Sequence, residues 1–387
     1  MTTDELLDRL EQAVTLRSDD AAIRIHATYE PQAGPHAKVF PPTYLPDGGT
    51  RYHLEKRWGP DGEPVNVVVL DSIQSQANRA EAALRTVAEE VGLPQLVLVA
   101  QLADRTVRIS SLDAPHRSRD AYFIDSEFDG QPFDRSEIGQ ALGDVTLDDA
   151  TSALRYAPYD VVYGVWDSHR GRRVATKFPR SYTSEMLGWQ PERGKRAATK
   201  GDPINVKGTA EVPLKDWRPE TATGQGRSKN VKLNALGHGM IPGAPDDEAG
   251  GVSVRSITRQ AVLSLTGLAR LQFPTEDGDV NGKGRAALAA LALFGDRLAF
   301  AGAGVNLRSG ADLVRADDQL EWVRAGGATE PLELDAEGAR QLLEAAGERL
   351  AEAGVAWSGE PIVLTPSERL LEVIEQTFEV PELEPEE

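Results

Sequence analysis

Between Trp166 and Tyr182 the chain reads WDSHRGRRVATKFPRSY, with Arg170, Arg172, Arg173, Lys177 and Arg180 interleaved with Trp166, Phe178 and Tyr182. Cations neutralise phosphates and aromatic faces stack on bases, so this mixture suits single-stranded nucleic acid. A solvated charged surface is the competing reading. A second set lies in PQAGPHAKVFPPTYLPDGG, where Pro and Gly impose a loop that carries Lys38, Phe40 and Tyr44. Those rings either stack on bases or pin the loop to the core. A third set, Gln74, Asn78 and Arg79, follows directly on an apolar run. Uncharged amides donate and accept hydrogen bonds, and free backbone N–H groups at a helix start favour an anion. The competing reading is a set of caps and solvated polar positions. In SSLDAPHRSRDAYF, His116, Arg117 and Arg119 crowd one expected helix start, where they oppose the dipole unless an anion or a carboxylate such as Asp113 or Asp120 compensates.

The elements that must position these groups follow from periodicity. Val65, Val67, Val68, Val69 and Leu70 form a β-branched run that predicts a buried strand, with Asp71 or Ser72 as the next N-cap. Ile73, Ala77, Ala80, Leu84, Val87, Ala88 and Val91 then recur at helical spacing, which puts Gln74, Asn78, Glu81 and Arg85 on the opposite, solvent side. Ala22–Glu30 alternates as a half-buried strand, with His26 on the polar phase, and Arg51–Trp58 alternates again. Further strands are expected at 95–103, 107–110 and 159–167. A helix should start at Asp113 with Pro115 in its first turn, and two short helices should fill 132–154. Periodicity is lost from Trp189 to Gly251, as in an insertion with hairpin-like arms that order on binding. Residues 251–273 read as a strand into an apolar helix. Helices at 283–301, 336–352 and 366–378 and a strand through Val305 and Leu307 follow.

Composition excludes several classes. At 387 residues the chain can bury a large core, and without cysteine it has no disulfide, thiol nucleophile or Cys-ligated metal. The net charge of −19 is uneven: from Ala311 onwards 20 Asp and Glu face 5 Lys and Arg, whereas Thr151–Met240 has 16 Lys and Arg against 8 Asp and Glu. A basic middle can bind a polyanion locally within an acidic chain. The acidic first helix is no secretory signal, and the longest apolar run, 286–294, is too short to span a bilayer. The expectation is a soluble, cytoplasmic protein without a membrane partner. Lys283 lacks the glycine spacing of a phosphate loop, the six histidines show no metal-ligand spacing, and no GxSxG elbow occurs. No catalytic residue, metal or cofactor is expected.

In order along the chain stand KVFPPTY from Lys38, LDSIQSQANRAEAAL from Leu70, SLDAPHR from Ser111, SEIGQAL from Ser136, VVYGVWDS from Val161 and AVLSLTGLARLQF from Ala261. As a set these resemble the backbone subunit of a type I-G (formerly I-U) CRISPR Cascade complex, of the RAMP superfamily, over about residues 20 to 275. The resemblance implies an α+β fold: an RRM-like (ferredoxin-like) palm from 1–188 and 252–380 together, a flexible thumb or web at 189–251, and an acidic tail at 381–387. It implies a non-enzymatic, crRNA-binding subunit that oligomerises as a helical filament along the guide RNA in antiviral defence. Its partners would be further copies of itself, target DNA through the guide, other Cascade subunits and a helicase–nuclease. Such a protein needs phosphate, ribose and stacking contacts but little base readout. Two other readings stay open: a metal-independent RNA endonuclease of the same superfamily using His116 with a nearby Arg or Lys, and a protein–protein scaffold that binds no nucleic acid.

Overall fold

The computed structural model of the chain describes residues 1–44, 51–59, 61–167, 177–195, 201–217, 230–239, 250–276, 278–357 and 359–379. Arg170, Arg172, Arg173 and the 381–387 tail lie outside the described residues.

Alternation along four strands builds the centre. In Asp20–Pro31 the odd positions Ile23, Ile25, Ala27 and Tyr29 are buried, and in Ser256–Ser264 Ile257, Arg259, Ala261 and Leu263 are. These two strands pair antiparallel with Ile25 opposite Ala261, so both buried rows share one face. Asp312–Arg324 adds on one side, placing Leu320 and Trp322 in that row, and Tyr182–Trp189 adds on the other with Tyr182 and Met186. In chain order these strands lie fourth, first, third, second. The helix Ile73–Val87 falls between the first and second, and Asn281–Phe300 between the third and fourth. The protein is thus α+β, consistent with the β-α-β-β-α-β plan of an RRM-like palm. The hairpin of Leu54–Trp58 and Pro64–Asp71 continues the sheet beyond Tyr182–Trp189, and Gly304–Asn306 and Thr329–Leu332 flank Asp312–Arg324.

Helices cover the apolar face. Asn281–Phe300 is buried almost all round, from Gly284 to Arg297, because Thr3–Ala13, Ile73–Val87, Pro158–Tyr163 and Ala336–Glu352 all pack against it. The acidic C-terminal region is part of this body. Ile362–Pro366 pairs parallel with Leu96–Gln101 in a second sheet, and Arg349 bridges Asp4, Asp8 and Glu11 of the first helix. Two short ladders occur within the 189–253 region, Glu192–Arg193 with Val252–Ser253 and Glu211–Pro213 with Asn230–Lys232.

Two expectations about these elements fail. Residues 159–167 are not one strand: Pro158–Tyr163 is a helix, ended at Gly164 with φ 85°, and only Val165–Trp166 is extended. All six helical residues are buried, so they carry no polar phase from which a period could be read. No helix starts at Asp113. The chain turns there, forms a single 3₁₀ turn at Arg117–Arg119, and begins a short helix, Ala121–Ile124, capped by Asp120. The strand into an apolar helix expected over 251–273 is present as Ser256–Ser264 and the short helix Leu265–Leu268.

Candidate nucleic-acid interface

Helix Ile73–Val87 positions most of the predicted groups. Ser72, not Asp71, is its N-cap, its hydroxyl accepting from the Ser75 N–H at 3.3 Å. Gln74 and Asn78 stand exposed on its first turns. Arg79 is tied down: Nε bonds Asp71 Oδ2 at 2.8 Å, while its two terminal nitrogens donate to the carbonyls of Asn306 at 2.9 Å and Leu307 at 2.7 Å. The turn held by Arg79 in turn holds the proline-rich loop. Arg308 donates to the Pro41 carbonyl at 3.0 Å, and the Phe40 N–H donates to Gly310.

Phe40 both pins this loop and faces solvent. Its ring lies so close to Gly310 and Gly251 that a Cβ there would come within 2.7 and 3.1 Å of it, and both glycines have the positive φ that larger residues avoid. Even so Phe40 is 37% and Tyr44 42% exposed. Tyr44 stands edge-on to His53 with centroids 5.7 Å apart, its hydroxyl held above its usual range by burial and by Asp71. Lys38 is exposed and reaches the Gly250 carbonyl at 3.4 Å. Lys38, Phe40, Tyr44 and Arg79 therefore belong to one corner, beside the open first turns with Gln74 and Asn78. Two half-exposed rings, a cation and free amides can hold a base and a phosphate.

The second predicted set is of another kind. Arg117, with φ 52°, is buried and forms a bidentate pair with Glu81 at 2.5 and 2.8 Å, and it donates to the Gly164 carbonyl at 2.8 Å. Glu81 is thus not on the solvent side of its helix. Burial pushes its carboxyl up to about 7 despite the pull of Arg117. His116 remains exposed, and its backbone N–H donates to Asp120. Arg180 is exposed overall, with its guanidinium shifted down by partial burial and by neighbouring Arg117. Lys177 lies 5.4 Å over Trp166, which is 61% exposed. That pair sits on the short ladder of Val165–Trp166 with Lys177–Phe178. The structure brings Arg117, Arg180 and the Lys177–Trp166 pair around Gly164, but Arg117 is committed to Glu81.

The sequence reading missed a polar chain through the core. Arg79 and Gln76 share Asp71, and Gln76 accepts from Arg259 at 3.0 Å and from Ser184 at 2.7 Å. Arg259 pairs with Asp296, as does Arg297, which also bonds Asp318 at 2.6 Å. Burial alone would raise Asp296, but Arg259, Arg297 and Tyr182 hold it below the ordinary carboxylate value. One signal was readable: Arg259 occupies the apolar phase of its strand, and a cation there must have a buried partner.

Among the described residues no group of three or more His, Cys, Asp and Glu is arranged to hold a metal ion, and no helix is long and apolar enough to cross a membrane. No curated protein matches the chain. Residues 23–192 match the family described as CRISPR-associated protein GSU0053. That stretch contains the proline-rich loop, helix Ile73–Val87, the Arg117 turn and the first two central strands, and it stops short of the motif at Ala261. Over residues 23–192 the chain is therefore similar to a family of CRISPR-associated proteins.

Proposed function

We propose that the protein is a guide-RNA-binding backbone subunit of a type I-G CRISPR Cascade complex, without catalytic activity of its own. The observation that carries this reading is the corner where Lys38, Phe40 and Tyr44 are fastened beside the open helix start of Gln74 and Asn78. Lys38, Phe40, Tyr44, Gln74 and Asn78 lie inside the stretch similar to a CRISPR-associated family. A loop anchored by its backbone and presenting rings and a cation binds RNA by stacking and charge at little ordering cost. Lys177, Arg180 and the Arg170, Arg172 and Arg173 segment would add a second strip of phosphate contacts, and 189–251 would serve as the thumb or web. Copies stacked along the guide would present it to target DNA and recruit the other Cascade subunits and a helicase–nuclease. The endonuclease reading is disfavoured because the cation next to His116 is Arg117, whose guanidinium is bound to Glu81.

Expression of the chain with a matching CRISPR array and its partner subunits tests this. Discrete guide-length RNA in a large, uniform assembly is expected, with a steep loss of RNA affinity as salt rises. Nucleic-acid-free protein under those conditions would overturn the reading, and cleavage of precursor RNA that His116→Ala abolishes would replace it with the endonuclease.

A further inference from the structure

Among the described residues the sheet face opposite the helices is largely bare, and one corner of it is hollow. A pocket of about 470 Å³ is lined there by Trp58, Trp189, Gln190, Arg255, Thr258 and Gln260, with His26 beside them. These positions come from four separate segments of sheet and adjoining turn, so no stretch of sequence shows them together.

The two indoles differ in fixation. Trp189 is half-buried, its Nε1–H donating to Thr258 Oγ1 at 2.7 Å, and it packs on a small apolar cluster of Val67, Val69 and Leu187. Trp58 ends the outer strand of the hairpin and is 74% exposed, an unusual place for the largest apolar side chain. The Gln190 and Gln260 carboxamides make no hydrogen bond among the described residues, and exposed Arg255 has no ion pair among them. Among the described residues the lining carries one full positive charge, Arg255, and one negative, Asp61.

Each feature narrows the occupant. A nearly neutral pocket disfavours a multiply charged ligand. A fixed indole, an exposed one and two unpaired amides suit a flat heterocycle with donors and acceptors on its edge. The volume is within the roughly 300–1,000 Å³ of small-ligand sites, enough for a single nucleotide. We propose that this pocket takes one unstacked nucleobase of a single-stranded nucleic acid, with Trp58 and Trp189 as the apolar contact, Gln190 and Gln260 at the base edge, and Arg255 at its phosphate. This extends the nucleic-acid reading given above and rests on it. The pocket is a site separate from the Phe40 and Tyr44 corner, on the opposite face of the sheet.

The test uses the full-length protein with hexanucleotides carrying 5-iodouracil, in ribose and deoxyribose forms, too short to act as guides. Irradiation followed by peptide mapping should place the adduct at Trp58 or Trp189. Trp58→Ala should weaken hexanucleotide binding about tenfold and Trp58→Phe far less, as for loss of one stacked base. Preference for the ribose form would assign the pocket to the guide, and preference for the deoxyribose form to a displaced DNA strand. Adducts confined to the Phe40 and Tyr44 loop, with Trp58→Ala binding as the unmodified protein does, would overturn the proposal. So would a Trp58→Ala variant that loses self-association but not hexanucleotide binding, since the occupant would then be polypeptide. The two readings fail separately. Guide-length RNA in the purified assembly with no adduct at this corner removes the pocket alone, whereas an adduct here in a protein that never carries guide RNA removes the backbone role alone.

Discussion

The two faces of the central sheet carry charge on opposite terms. On the helix side Arg259, Asp296, Arg297 and Glu81 are almost wholly buried, and each guanidinium meets a carboxylate. On the bare side Arg24 pairs with Glu321 and Arg57 with Glu185 in contact with water, while Gln260 and Arg255 stay unpaired among the described residues. Buried charges must be matched because an isolated one is prohibitively desolvated, so the inner set is bound up in structure. Exposed groups are under no such demand. A cation in this chain is therefore informative about a ligand only where the fold has not already given it a partner.

The largest effect is expected on the buried side. Asp296→Ala should leave Arg259 and Arg297 buried without their carboxylate and cost about 3–5 kcal/mol, read as a large fall in the urea midpoint or as insoluble protein. A loss below about 1 kcal/mol would mean that the inner network is not structural.

Glu81 offers a sharper variant, through pH. Its carboxyl has an ordinary value of 4.5 and rises to about 7 on folding. The folded state therefore favours the protonated form, and this contribution is complete below pH 4.5 and is lost as pH rises through 7. Relative to Glu81→Gln, the unaltered protein should lose on the order of 3 kcal/mol over that window. Urea titrations of the two at several pH values check it, and parallel curves would refute the assignment.

Arg79 stands between the classes. Arg79→Ala should cost roughly 1–3 kcal/mol through its bonds to Asp71 and the Asn306 and Leu307 carbonyls, with faster hydrogen exchange in 306–310. Lys38→Ala should change stability by no more than about 0.5 kcal/mol yet lower the salt slope of RNA binding by roughly one. The smallest stability effect is expected at Trp58→Ala, within about 0.5 kcal/mol of zero, because little of that side chain is buried. If calorimetry found it as costly as an inner substitution, the distinction between the faces would fall.

Much of the scaffold was legible. Strict alternation in AIRIHATYE gives the central strand because burial of one face leaves a periodic trace, whereas the run at 283–301, buried on all faces, is legible as a helix from its length and alanine content. The candidate site was less so. Exposed Gln74 and Asn78 follow from helical spacing alone, but Phe40 turned out to be both anchor and exposed ring, which depends on glycines more than 200 residues away. Arg117 read as an anion site or an internal pair, and Glu81 decides for the pair.

What the amino-acid order determined by itself is therefore local: the strand phases, the Ser72 cap, the proline-stiffened loop and the uneven charge along the chain. Tertiary structure decided which charges are available. The partner of Arg117 is 36 residues distant, that of Arg259 is 37, and the walls of the tryptophan pocket come from strands spread over most of the chain. Periodicity reports whether a position faces inwards, but an ion pair or a pocket depends on what stands opposite, and only packing supplies that.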